Sequence, residues 1–116
     1  MVERIESEPL SRVLKAASDP TRRAILTFLA QNGPQRVTVI AAQFDMSLNA
    51  ISKHIKVLET AGLVSRRTEW REHLIEVDMA PLNRVEAWFA GLKSIWALRL
   101  DALDRHLQQK AADDDD

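Results

Sequence analysis

The sequence predicts a mainly α-helical fold carrying one small β-hairpin, and three observations support that prediction. Glycine and proline are scarce, 3 and 4 among 116 residues, so the chain has few turns to spend. Apolar residues recur at helical spacing in several separate stretches and in one long run after Pro81. Only between Leu63 and Asp78 does the pattern shift to short β-type runs. The expected order is α-α-α-α-β-β-α, a single domain over 1–116.

The first helix rests on Ile5, Leu10, Val13, Leu14 and Ala17, which form an apolar stripe ending at Ser18. Asp19 is a good N-cap and Pro20 a good first helical residue, so a second helix begins at once. Ala24, Ile25, Phe28 and Leu29 are its inward face, and Asn32-Gly33-Pro34 stops it. A third helix fits Thr38 to Phe44, with Val39, Ile40, Ala41 and Phe44 apolar. Ser47 can cap a fourth, which buries Ile51, Ile55 and Leu58 and ends before Gly62. Leu63–Thr68 and His73–Asp78 are the two strands, joined through Glu69–Glu72. The last helix follows Pro81 and carries Leu82, Val85, Trp88, Phe89, Leu92, Ile95, Trp96, Leu100, Leu103 and Leu107 at near-heptad spacing. Helix-turn-helix, wing and last helix are assigned to 38–61, 63–78 and 80–110, with a disordered acidic tail at 111–116.

Composition narrows the chemistry. The absence of cysteine excludes disulfides, thiolate metal sites and cysteine nucleophiles. No apolar run reaches the roughly 18 to 20 residues of a membrane span, so the expected location is cytoplasmic, with no membrane partner. The formal charge is −1, but Asp113–Asp116 contribute −4, which leaves +3 on the remainder. Between Ser47 and Arg71 the bases Lys53, Lys56, Arg66, Arg67 and Arg71 face only Glu59 and Glu69. A near-neutral total therefore conceals a basic patch.

Two short helices joined by Asp45-Met46-Ser47 and followed by a basic hairpin make a winged helix-turn-helix. Ala41 is small where the helices cross, Met46 can fill the space between them, and Asp45 tolerates a left-handed backbone. The face of the fourth helix opposite Ile51 and Ile55 offers Leu48, Asn49, Ser52, Lys53 and Lys56 to double-stranded DNA. Asn49 can bond an adenine edge, and Lys53 a guanine edge or a phosphate. Ser47, Ser52, His54 and Lys56 suit phosphate oxygens. Arg66, Arg67 and Arg71 on the hairpin can reach the backbone or the minor groove. Trp70 at its tip can stack on bases or pack against an arginine stem.

The segment from Leu14 through Asp19-Pro20-Thr21-Arg22-Arg23 to Leu26 resembles the start of the second helix in bacterial ArsR/SmtB-type repressors. Ser47 to Val64 resembles their recognition helix and its exit. The last helix, with Pro81-Leu82, Ala87-Trp88, Trp96 and Arg99–Leu103, is similar to a cysteine-free branch, often encoded beside START-like, Aha1-related proteins. The resemblance implies a homodimeric repressor that leaves its operator when an effector or partner binds. It also implies that Ser47, Ser52, Lys53 and His54 match the family's DNA-facing positions. Where arsenic-type sensors carry paired cysteines, this chain has Val37–Ala42. Asp101, Asp104 and His106 match the zinc-type ligand pattern poorly, because His106 lies about 200° round the helix from Asp104. Neither a metal site nor a cofactor is expected.

The long apolar stripe exceeds what a small winged core can cover and would be a liability in water. Pairing with a second copy through the first and last helices solves that problem. The expected interface holds Leu10, Leu14, Leu82, Val85, Trp88, Phe89, Leu92, Ile95, Trp96, Leu100 and Leu103. A two-fold dimer would set two recognition helices one DNA turn apart, ~34–36 Å, to match a pseudo-palindromic operator. A small-molecule or protein effector could act at the paired helices. The competing function is a winged-helix module for protein–protein contact, its basic face meeting an acidic partner. Catalysis is not expected: there is no nucleophile elbow, Gly-rich phosphate loop or His-x-x-x-His pair.

Overall fold

The computed structural model describes residues 2–114, with side chains described from Glu8 onward. The chain divides into two compact units, Met1–Val85 and Glu86–Asp116. Within the first unit the elements run α1 (Val2–Ala17), α2 (Pro20–Asn32), β1 (Gln35–Arg36), α3 (Val37–Gln43), α4 (Leu48–Thr60), β2 (Val64–Glu69) and β3 (Glu72–Val77). The last helix, α5 (Leu82–Asp114), begins in this unit and makes up the second.

Local chemistry sets the boundaries. Asp19 caps α2, its Oδ2 accepting from the Arg22 N–H at 3.0 Å, and Pro20 follows at the first helical position. Ser47 caps α4, its Oγ accepting from the Ala50 N–H at 3.2 Å. Past α4 the chain turns at Gly62, φ 79°, a left-handed backbone that lets the Leu63 N–H reach the Leu58 carbonyl at 3.0 Å. In the helix-turn-helix bend Asp45 has φ 50°, and the Met46 N–H returns to the Ala41 carbonyl at 3.1 Å. Asp45 thus holds the left-handed position expected of it.

The core of this unit draws on its helices and on the β2–β3 hairpin. Val13 and Ala16 of α1, Ile25 and Leu29 of α2, and Ile40 and Ala41 of α3 are buried. So are Ile51, Ile55 and Leu58 of α4, together with Leu63, Val64 and Ile75 from the hairpin. Phe28 and Phe44 meet edge to face at 6.0 Å on its margin, where Met46 also packs. Burying a side chain of this size is worth about 1.5–3 kcal/mol relative to water.

Several expectations change. A third strand, β1, pairs antiparallel with β3 through Gln35↔Ile75 and Arg36↔Leu74, giving the order β1-β3-β2. The element order is therefore α-α-β-α-α-β-β-α, because a two-residue strand carries no alternation to detect in sequence. Glu69 and Glu72 stand directly opposite in the β2–β3 register, a repulsive pairing. Arg67 offsets the first at 3.5 Å, and Arg36 forms an ion pair with the second. On α1, Ala16 joins the core while Leu14 is exposed, and Ile5 lies outside the residues whose side chains are described. Leu82 and Val85, expected on the dimer face, pack against the core of the first unit.

In the second unit α5 continues through Asp114, so 111–114 are helical where a disordered tail was expected. Asp115 and Asp116 of that tail lie outside the described residues. Trp88, Phe89, Leu92, Ile95, Trp96, Leu100, Leu103 and Leu107 are all exposed in the single chain. No described helix is long and apolar enough to cross a membrane.

The bend at Asp45 gives a stability test. Asp45→Val puts a β-branched side chain into a left-handed backbone and is expected to lose about 1–2 kcal/mol. Asp45→Gly is expected to stay within about 1 kcal/mol of the parent, since glycine adopts that backbone freely. Urea denaturation compares the three midpoints.

Candidate nucleic-acid interface

The interface is built outward from α4. With Ile51, Ile55 and Leu58 buried, the opposite side of the helix is exposed and carries Leu48, Asn49, Lys53, Lys56 and Thr60. No carboxylate lies on that face; Glu59 is on the flank, half-buried. Ser52 is half-buried on the same flank. Ser47 closes the helix N-terminus, and because its Oγ accepts there, its hydroxyl hydrogen remains to donate to a phosphate oxygen. The helix dipole favours an anion at that end.

The wing borders one side of this face. The Arg66 Nε donates to Glu59 Oε1 at 2.9 Å, tying β2 to α4. Arg67 spans Glu69 at 3.5 Å and Glu76 at 3.6 Å. At the tip Trp70 is 88% exposed with φ 61°, a backbone that hairpins usually give to glycine. The Arg71 guanidinium lies 5.3 Å from its ring centroid, so the arginine-packing alternative is the one adopted. Exposed ion pairs of this kind contribute about 0–1 kcal/mol, so these arginines can exchange a carboxylate for a phosphate at low cost.

His54 sits elsewhere. It turns toward the start of α2, with Nδ1 at 3.4 Å from Arg22 Nη1 and 3.9 Å from Asp19 Oδ2. Its position only about 60° round the helix from Ile51 places it beside the buried stripe rather than with Lys53. Arg22 also donates from Nε to the Ala16 carbonyl at 2.8 Å and from Nη2 to the Lys15 carbonyl at 3.1 Å. One guanidinium thereby joins the end of α1, the start of α2 and the flank of α4. The Asp19 carboxyl is held below its ordinary range, chiefly by the Arg22 backbone N–H. Desolvation opposes this, while the charges of Arg22 and His54 add to it.

Sequence reasoning missed Arg22 as a brace and missed two cations of α1, Arg12 and Lys15. These line an open groove beside Lys53 and Lys56. Nothing in the local pattern joins positions 12 and 15 to 53 and 56; only the packing of α1 on α4 does. Among the described residues no three His, Cys, Asp or Glu side chains converge on a common point.

This arrangement is that of a winged helix-turn-helix transcriptional regulator. Residues 17–67 match a family described as a helix-turn-helix domain. An ArsR-like transcriptional regulator from Rhodococcus sp. RHA1 superposes with a TM-score of 0.82 at 30% identity, over 90% of this chain and 94% of that one. A homodimeric winged helix-turn-helix DNA-binding domain from Mycobacterium bovis superposes with a TM-score of 0.65 at 27% identity, over 79% and 84%. The transcriptional repressor SdpR of Bacillus subtilis is 41% identical over 56 residues, 48% of this chain and 61% of that protein. The chain belongs to the ArsR family of transcriptional regulators.

The Asp19 carboxylate makes stability depend on pH. A depressed folded-state pKa contributes stability above the ordinary carboxylate pKa of about 3.9 and loses it as pH falls through that value and below. Asp19→Asn is expected to flatten the acid limb of a urea-midpoint profile below about pH 5. Parallel profiles for the two proteins would contradict this.

Proposed function

We propose that the protein is a dimeric, sequence-specific repressor that binds a pseudo-palindromic operator in double-stranded DNA through α4 and its wing. One observation carries the reading: the exposed face of α4 presents Asn49, Lys53 and Lys56 with no carboxylate among them. Ser47 stands at its end and Arg66 along its side. A major groove supplies what this face lacks, base-edge acceptors for Asn49 and Lys53 and phosphates for the remainder. The wing arginines and Trp70 then meet the backbone beside the site.

Self-association rests on the exposed apolar residues of α5 and on the homodimeric M. bovis relative. The residues proposed to meet the second copy are Leu10 and Leu14 of α1 and Trp88, Phe89, Leu92, Ile95, Trp96, Leu100 and Leu103 of α5. The likeness to a Bacillus repressor supports repression over activation. Release by an effector, a small molecule or a protein, does not run through cysteine, since the sequence has none. The protein acts in the cytoplasm by occupying DNA, not by catalysis.

Fluorescence anisotropy with a duplex from its own promoter, beside a scrambled duplex and a salt series, tests the reading. The promoter is expected to bind two chains, with affinity about a thousandfold or more above the scramble. Asn49→Ala is expected to cost about 1–3 kcal/mol on the promoter and little on the scramble. Lys56→Ala is expected to weaken both alike and to reduce the salt slope by about 1. Equal losses on both duplexes for Asn49→Ala would remove its base-reading role. Equal, weak binding of both duplexes would contradict the operator reading.

A further inference from the structure

The groove between α1 and α4 joins a cationic rim to an apolar floor, and DNA binding does not require the floor. It is about 440 Å³ in volume, within the range of small-ligand sites. Its floor is Val57 and Ala61 with Thr60 beside them, and its rim is Arg12 and Lys15 from α1 and Lys53 and Lys56 from α4. Four of its seven lining residues are cationic and none is acidic. Arg12 is partly neutralised by Glu8 at 3.5 Å. Among the described residues no carboxylate comes within ion-pair distance of Lys15, Lys53 or Lys56.

We propose that this groove binds a small amphiphilic anion, a carboxylate on a medium-length apolar chain. The apolar part would lie on Val57 and Ala61 with its charge among the rim cations. The charge pattern excludes a cationic occupant, and the mainly apolar floor gives a fully hydrated ion nothing to gain. Lys53 and Lys56 also belong to the exposed face of α4, so their ammonium groups cannot serve a DNA phosphate and the bound anion together. Occupancy of the groove therefore competes with the operator for these two lysines, which makes the groove an effector site. This last step rests on the DNA reading; binding of the anion does not.

Two measurements separate the claims. In the first, decanoate, below its micellar range, is titrated into the isotopically labelled full chain while backbone amide shifts are followed. Saturable shifts are expected at Val57, Thr60 and Ala61, with decanol, which lacks the charge, at least about tenfold weaker. Lys15→Gln, outside the recognition helix, is expected to weaken decanoate by about tenfold. Shifts that match for decanol, that fall only within 86–114, or that are absent would overturn the proposal whatever the protein does with DNA. In the second, decanoate is expected to weaken the promoter complex, and Lys15→Gln to blunt that effect. If Lys15→Gln alone weakens the promoter complex while decanoate leaves the groove amides unmoved, the groove belongs to the DNA seat and the proposal fails.

Discussion

Burial of Ile51, Ile55 and Leu58 is the constraint on which the functional surface depends. Each is fully buried, so rotating α4 about its axis would return three branched side chains to water, at about 1.5–3 kcal/mol apiece. The helix can then present only one face to solvent, and Asn49, Lys53 and Lys56 are what that face carries. The wing is set against it by Leu63, Val64 and Ile75 in the core and by the Glu59–Arg66 pair. On the other flank Arg22 binds two carbonyls of α1 and reaches His54. Both borders of the exposed α4 face are thus tied to the same helix.

Charge is organised locally, not globally. The chain as a whole is close to neutral, yet the α4 face and its borders are basic. The carboxylates present, Glu59, Glu69 and Glu76, hold the wing arginines in ordered positions through exposed pairs. Such pairs are weak in water, so they position the guanidinium groups without preventing transfer to phosphate. Trp70 occupies a backbone conformation usually left to glycine, a strain of the kind proteins retain at working surfaces.

What was legible in the sequence was local. The four-and-three spacing of Ile51, Ile55 and Leu58, the caps at Asp19 and Ser47, the left-handed Asp45 and the stop at Gly62 each follow from neighbouring residues. What was not legible needed contacts across the chain. Strand β1 exists only because Gln35 and Arg36 meet β3. Arg12 and Lys15 join the basic surface only because α1 packs on α4. His54 lies about 60° round α4 from Ile51, at the buried edge, and its contact with Arg22 needed the packing of α2 on α4. Leu82 and Val85 fit the apolar stripe of α5, and sequence periodicity cannot say that a domain core claims them before a partner does. The helical residues 111–114 show that an acidic composition does not by itself end a helix.

The central claim is that the exposed face of α4, with its wing, is the surface that meets DNA. Amide hydrogen exchange of the full chain, free and with excess promoter duplex, tests it most directly. Added protection is expected at 47–56 and at 64–72, dependent on the promoter sequence. Protection confined to 86–114, or identical with a scrambled duplex, would contradict it.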